Sequence, residues 1–151
     1  MKTLVESLFD NELVSKDLII YHPKTKKELI DCIQKELKKQ GPDANLNIID
    51  TSKITNMYEL FYRFKKDIRN IDISAWDVRN VEKMQYMFYG CKSFNSDLSE
   101  WDVGNVKYMS FMFDGCKSFN SDLSKWDVSN VEEMSNMFFG CKSLKKIPEW
   151  Y

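Results

Sequence analysis

A 25-residue block occurs three times in succession and constrains the fold more than any other feature of the chain. The copies are "WDVRNVEKMQYMFYGCKSFNSDLSE" at residues 76–100, "WDVGNVKYMSFMFDGCKSFNSDLSK" at 101–125 and "WDVSNVEEMSNMFFGCKSLKKIPEW" from Trp126 onward. A constant period of this length is typical of repeat proteins, in which each unit buries its apolar side chains against its neighbours. We therefore expect a linear array of similar coils.

A fourth, degenerate copy precedes the regular ones. The stretch "IDTSKITNMYELF" matches "WDVRNVEKMQYMF", and "IDISAW" matches "SDLSEW", which makes this first unit two residues longer than the others. The predicted organisation is one domain over residues 1–151. It comprises a capping segment at 1–45, a degenerate repeat at 46–75 and regular repeats at 76–100, 101–125 and 126–151.

The pattern inside each repeat predicts one short helix and one short strand. Val81, Met84, Met87 and Phe88 fall on one side of a helical wheel, and Gly90 follows at a position suited to ending a helix. An asparagine stands before each such segment and is interpreted as its N-cap: Asn80, Asn105 and Asn130. The stretch "SFNSDLSEW" has the length of a strand. The predicted fold class is α/β, a leucine-rich-repeat-type solenoid of about four strand-plus-helix coils with a parallel sheet.

The N-terminal segment carries a strong helix signal. In "YHPKTKKELIDCIQKELKKQGP", Thr25 and Glu28 form a capping box and Gly41 with Pro42 supplies a stop, which predicts an amphipathic helix from Lys26 to Gln40. Such a helix would cover the open apolar end of the first coil. Before it, "DLIIYH" is typical of a short strand and "TLVESLF" of a helix.

Composition and charge exclude several classes of partner. The chain is 43% hydrophobic with a net charge of −1, so no basic surface predicts binding to nucleic acid or an anionic membrane. No segment reaches the roughly 20 apolar residues that a membrane helix needs. The first residues lack the continuous apolar stretch of a signal peptide, and as written the chain is expected in the cytoplasm.

Residues that could carry chemistry form rows rather than clusters. One cysteine follows the glycine of each repeat, at Cys91, Cys116 and Cys141, and is interpreted as a buried free thiol instead of a zinc ligand, since no close pair exists. The aspartates of the repeats are interpreted as acceptors for backbone amides rather than calcium ligands. His22 is the only histidine, and no catalytic triad can be assembled around it. We therefore predict that the protein is not an enzyme and that it binds neither a metal nor a cofactor.

The repeat resembles a known family. The unit "FNSDLSK" followed by "WDVSNVEEMSNMFFGCKS" is similar to the 25-residue repeat of the BspA-like leucine-rich-repeat surface proteins of bacteria, and "YHPKTKKEL" resembles a segment often found before such repeats. The resemblance implies a curved solenoid that binds other proteins or host surfaces, commonly from a secreted or anchored location.

Positions that differ between the copies are the candidates for specificity. Most of them lie on the predicted outer helix face, where aromatic side chains gather: Tyr86, Tyr89, Tyr108, Phe111 and Phe139. The strand face offers a second candidate at Asn95 and Asn120. We predict a non-enzymatic module that binds another protein. A second copy of the same chain is an alternative partner. The alternatives are a small intracellular inhibitor or immunity protein with one target, and a structural fragment of a longer surface protein.

Overall fold

The computed structural model describes residues 18–151, and within them a single α-helix forms. This helix, α1, runs from Lys26 to Gln40, as predicted. The Thr25 hydroxyl accepts from the Glu28 amide at 3.2 Å, and the Glu28 carboxylate accepts from the Lys24 amide at 2.6 Å. Gly41 ends the helix with φ 84°, and its amide donates to the Leu37 carbonyl at 2.8 Å. The capping residues therefore define both ends of α1.

The short elements predicted before α1 differ in outcome. The stretch "DLIIYH" does not form a strand over residues 18–22, where one isolated bridge joins Tyr21 to Ile49. The helix predicted at "TLVESLF" lies outside the described residues. The buried Glu36 carboxylate connects α1 to this entry segment, because it accepts from the Tyr21 hydroxyl at 2.5 Å and from Gln40 Nε2 at 2.7 Å.

The predicted α/β leucine-rich-repeat solenoid was wrong. Over residues 18–151 no strand or sheet forms, and beyond α1 the regular structure amounts to one 3-10 turn at Tyr62–Phe64. The segment predicted as a helix in the second repeat is a series of turns, in which Met87 donates to the Met84 carbonyl and Tyr89 to the Tyr86 carbonyl, each at 3.2 Å. Tyr86 has φ 57°, a left-handed conformation that ends any α-helix.

Successive turns also explain why strands are absent. Amides two residues apart, those of Met84, Tyr86 and Phe88, donate to carbonyls of the next repeat. The amides of Met87 and Tyr89 bond back within their own repeat. The backbone therefore folds every few residues and cannot stay extended. The β pairing between neighbouring repeats is therefore limited to isolated parallel bridges, such as Lys83 to Tyr108 and Tyr108 to Glu133.

Each repeat thus forms a coil of consecutive turns, and the coils stack along one direction. We number them from the first coil, residues 46–75, to the fourth, which starts at Trp126. Bridges between the second and third coils and between the third and fourth have a constant offset of 25 residues, whereas Asn56 pairs with Lys83 at an offset of 27. Amides such as that of Met84 donate to carbonyls of the following coil, and others, such as those of Lys107 and Glu132, donate to carbonyls of the preceding coil.

The core is built from columns of equivalent side chains. Phe61, Phe88, Phe113 and Phe138 stack nearly parallel, with ring centroids 5.2, 5.5 and 5.8 Å apart. A second column consists of indoles, each donating from Nε1 to a carbonyl 27–30 residues earlier in the chain at 2.9–3.0 Å: Trp76, Trp101, Trp126 and Trp150. Repetition of the sequence therefore places identical rings in contact and satisfies the buried indole donors.

Candidate binding surface

Five aromatic side chains form a continuous strip on one side of the first three coils. We call it the aromatic strip, and its members are Tyr58, Tyr62, Tyr86, Tyr89 and Phe111. Tyr86 is at its centre, with ring centroids 4.8 Å from Phe111 in a stacked pair, 5.5 Å from Tyr89 and 5.9 Å from Tyr58. Tyr62 joins the strip through Tyr89 at 5.7 Å. Tyr58 and Tyr89 remain 38% and 36% exposed and the other three members are partly buried, so the strip is accessible to solvent.

The backbone at the centre of the strip has an unusual conformation. Tyr86 and Phe111 both have positive φ, 57° and 60°, as do Glu59 and Asn136 at the equivalent corners of the first and fourth coils. Bulky residues rarely adopt this conformation, whereas asparagine tolerates it well. The turn itself therefore gives no preference for an aromatic side chain at these corners.

Basic side chains flank the strip where it approaches α1. Lys26 Nζ lies 5.4 Å from the centre of the Tyr58 ring and donates to the Tyr58 carbonyl, and Lys65 Nζ lies 4.2 Å from the centre of the Tyr62 ring. Burial lowers the pKa of Lys26, and repulsion from the nearby Arg63 lowers it further. The Glu59 carboxylate partly offsets these effects on the pKa of Lys26, so this end of the strip combines three cations and one carboxylate with an apolar surface.

The structure brings together only some of the predicted site residues. Tyr86, Tyr89 and Phe111 lie side by side in the strip, but in turns and not on a helix. Tyr108 is half-buried in the adjacent column of bridged residues. Phe139 is 71% exposed and sits in the same repeat position as Tyr89, separated from it by Asp114 in the third coil.

Two members of the strip were missed from sequence. Tyr58 and Tyr62 belong to the degenerate first repeat, which was compared with the regular repeats only at its apolar positions. The 27-residue offset places Tyr62 opposite Tyr89, as the bridge from Asn56 to Lys83 shows. Applying this offset to every position of the first repeat would have identified Tyr62, whereas Tyr58 falls opposite Gln85 and reaches the strip through its contact with Tyr86.

The asparagines serve to connect coils. Asn95 Oδ1 accepts from the Asn120 amide at 2.9 Å, and Asn120 Oδ1 accepts from the Lys145 amide at 3.0 Å. Asn80, Asn105 and Asn130, predicted as N-caps, instead donate through Nδ2 to carbonyls of the preceding coil at 2.6–2.7 Å, because no helix follows them. Asn95 and Asn120 are exposed, but their side-chain oxygens already have partners.

The rows of aspartates stabilise turns, as the sequence indicated. A carboxylate oxygen accepts from the amide two residues further on at 2.9–3.1 Å in each of them: Asp72, Asp77, Asp97, Asp102, Asp122 and Asp127. These bonds hold the pKa of several carboxyls below the usual range. Hydrogen bonds from the following serine are the main cause at Asp97 and Asp127.

The cysteine row lies inside the stack. Cys116 Sγ is 2.9 Å from the Phe88 carbonyl and Cys141 Sγ is 3.0 Å from the Phe113 carbonyl. Burial raises the pKa of Cys91 to about 12 and that of Cys141 to about 11, so these thiols stay protonated at neutral pH. In the part of the chain that the structure describes, no three potential ligands converge as a metal site would require. Nor does any helix there have the length and apolar character needed to cross a bilayer.

Comparison with known proteins yields one family. A family model with the description "Mycoplasma protein of unknown function, DUF285" matches residues 33–150, which is more than three quarters of the chain. The matched region begins within α1 and continues through all four coils. No curated protein and no solved structure matches the chain.

Proposed function

Because the chain belongs to this DUF285 family, whose description assigns no activity, we propose a function from its surface: a non-enzymatic protein-binding module that uses the aromatic strip. The single observation that carries the proposal is the strip of five neighbouring aromatic side chains across three coils. Tyrosine and phenylalanine bury large areas at low entropic cost, which is why such residues dominate the binding energy of protein interfaces.

The corner residues support this proposal. Asparagine occupies the equivalent corner in the fourth coil, at Asn136, where the same positive φ is required. Tyr86 and Phe111 adopt it with side chains that disfavour it, and non-glycine residues in sparse backbone regions are concentrated at functional sites. The turn does not require aromatic side chains at these corners, whereas contact with a partner would explain them.

The flanking charges indicate the chemistry of the partner. Lys26, Arg63 and Lys65 border the strip at the α1 end, and Lys26 is partly desolvated. A partner that places acidic side chains beside an apolar or aromatic patch would complement this surface. The resemblance of the repeat to that of BspA-like proteins supports a binding role as well.

The test replaces both corner residues with the side chain that the fourth coil already uses. Tyr86→Asn with Phe111→Asn keeps a residue that tolerates positive φ, so the melting temperature should change little. Capture of the partner from the source cell should weaken by at least about tenfold, or roughly 1.4 kcal/mol. Binding to purified partner would be measured by calorimetry.

A matched control removes an exposed apolar side chain elsewhere. Ile147 is 55% exposed and lies outside the strip, so Ile147→Ala should leave binding unchanged. Equal binding by the wild type and the double variant would exclude the strip as the site.

A further inference from the structure

Each coil presents one lysine at the same position of its repeat. We call these residues the lysine row: Lys65, Lys92, Lys117 and Lys142. Lys65 belongs to the row by the 27-residue offset of the first coil, and the other three lysines are exposed. The Ser118 amide donates to the Lys92 carbonyl and the Ser143 amide to the Lys117 carbonyl, both at 3.2 Å. Because backbones that hydrogen-bond side by side are about 4.8 Å apart, the row is a line of closely spaced positive charges.

The exposed lysines of the row have no partner in the part of the chain that the structure describes. Lys92, Lys117 and Lys142 take part in none of its ion pairs or side-chain hydrogen bonds. Elsewhere adjacent coils carry opposite charges at equivalent positions, as in the pairs Glu82–Lys107 and Glu100–Lys125. Like charges on neighbouring backbones repel each other. The row therefore lowers the stability of the free protein and has no structural role of the kind that the aspartates have.

Nearby carboxylates do not neutralise the row. Burial raises the pKa of Asp114, which lies three positions before Lys117, and no cation offsets this shift. The pKa of Asp122 is lowered first by hydrogen bonds from Ser124 and then by two lysines outside the row. The positive charge of the row is therefore available to a ligand.

The row begins at the aromatic strip. Lys65 Nζ lies 4.2 Å from the centre of the Tyr62 ring, and the aliphatic part of its side chain passes over Gly90, the residue that follows Tyr89. In each regular coil only a glycine and a cysteine separate the row from the position of Tyr89. A partner that occupies the strip therefore has the lysine row beside it.

We propose that the lysine row binds an acidic, extended segment of the same protein that occupies the aromatic strip, an inference that rests on the function proposed above. Alternate residues of an extended chain face the same way and are about 6.8 Å apart. Three junctions of about 4.8 Å give the row a length of about 14 Å, which matches three carboxylates at alternate positions. Lysine side chains are long and flexible enough to absorb the small difference in spacing. The segment therefore has Asp or Glu at every second residue along the row.

Other polyanions fit the row less well. Asp97 and Asp122 are exposed and lie two positions beyond Asn95 and Asn120, on the side of the row away from the strip. A ligand wider than one extended chain would bring its negative charges against these carboxylates. The net charge of −1 also gives no long-range attraction for nucleic acid or an anionic membrane. A single peptide segment avoids both difficulties.

The experiment adds a synthetic ten-residue peptide of alternating glutamate and serine to the full chain in low-salt buffer. NMR should show shifts of the backbone amides of Lys92, Lys117 and Lys142, and the affinity should fall as salt is added, because the contacts are ionic. The row variant Lys92→Gln, Lys117→Gln, Lys142→Gln should bind the peptide at least about tenfold more weakly. Its melting temperature should not fall, because like charges have been removed. Absence of shifts at the row with millimolar peptide would overturn the proposal.

A matched control removes three exposed lysines outside the row. The variant Lys24→Gln, Lys53→Gln, Lys83→Gln has the same net charge as the row variant and should bind the peptide as the wild type does. Equal loss of binding in both variants would indicate attraction by net charge alone and would contradict the proposal. So would an oligodeoxythymidine or a phosphatidylserine vesicle that binds through the row more tightly than the peptide.

The strip and the row can be tested separately. The variant Tyr86→Asn, Phe111→Asn leaves the row intact and should bind the peptide normally. Row-dependent peptide binding together with partner capture that does not require the strip would refute the role of the strip and support the acidic specificity of the row. Partner capture that requires the strip but is unchanged in the row variant would refute the present inference alone.

Discussion

At the residue scale, each repeated side chain performs the same task in every coil. The aspartates show this most clearly, since each accepts from the amide two residues on and thereby holds one turn. Such local bonds are typical of aspartate in turns. That role could be predicted because the acceptor and donor lie close together in sequence.

The lowered aspartate pKa values predict loss of stability in acid. A carboxyl whose pKa is lower in the folded than in the unfolded chain stabilises the fold fully above the unfolded value, near 4, and this stabilisation is lost as the pH falls through the folded value. The shifts at Asp50, Asp77 and Asp97 act in this direction, and the Arg69 guanidinium holds the pKa of Asp43 to about 2. Urea unfolding at a series of pH values should show constant stability above about pH 5 and a steady decrease from pH 4 to pH 2.

A variant isolates the contribution of one carboxylate. Asp97→Asn keeps an oxygen that can accept from the Ser99 amide but does not titrate, so its stability should depend less steeply on pH than that of the wild type. An identical pH dependence in both proteins would show that protonation of Asp97 does not change the free energy of unfolding.

At the element scale, α1 could be predicted because its signals are local, whereas the coils could not. Capping at Thr25 and Gly41 acts within a few residues. In the coils, Val78, Val81, Met84 and Met87 are buried at intervals of three, which is the period of successive turns. Over so short a segment this period is hard to distinguish from the 3.6 of a helix. The amides also bond to residues about 25 positions away, which no local pattern reveals.

The attachment of α1 depends on a buried carboxylate. Glu36→Ala would leave the Tyr21 hydroxyl without its acceptor and remove one of the two acceptors of Gln40 Nε2, and we expect a loss of about 1–3 kcal/mol in the free energy of unfolding. Glu36→Gln retains one acceptor oxygen and should lose less. Hydrogen exchange should accelerate in α1 more than in residues 76–125, because the lost contacts are local. Uniform acceleration throughout the protein would contradict this assignment.

At the scale of the whole molecule, the stack is held together by contacts between neighbouring coils. Ion pairs also join adjacent coils. Glu82 pairs with Lys107 at 3.7 Å, and Glu100 pairs with Lys125 at 3.5 Å. The aromatic strip crosses three coils in the same manner. A surface of this kind is visible only when equivalent positions of successive repeats are placed side by side, which is why sequence alone identified part of it.

Lengthening the stack tests this organisation directly. Duplicating residues 76–125 after Lys125 adds two coils and keeps opposite charges adjacent, because the copied Glu82 and Glu100 meet Lys107 and Lys125. Stability that grows with each coil-to-coil contact predicts a higher melting temperature and a larger urea m-value. Duplicating residues 101–125 alone places Lys107 and Lys125 beside their own copies, so its gain should be smaller per added coil, although exposed ion pairs contribute only about 0–1 kcal/mol each. A melting temperature below that of the wild type in the two-coil variant would mean that the coils do not stack interchangeably.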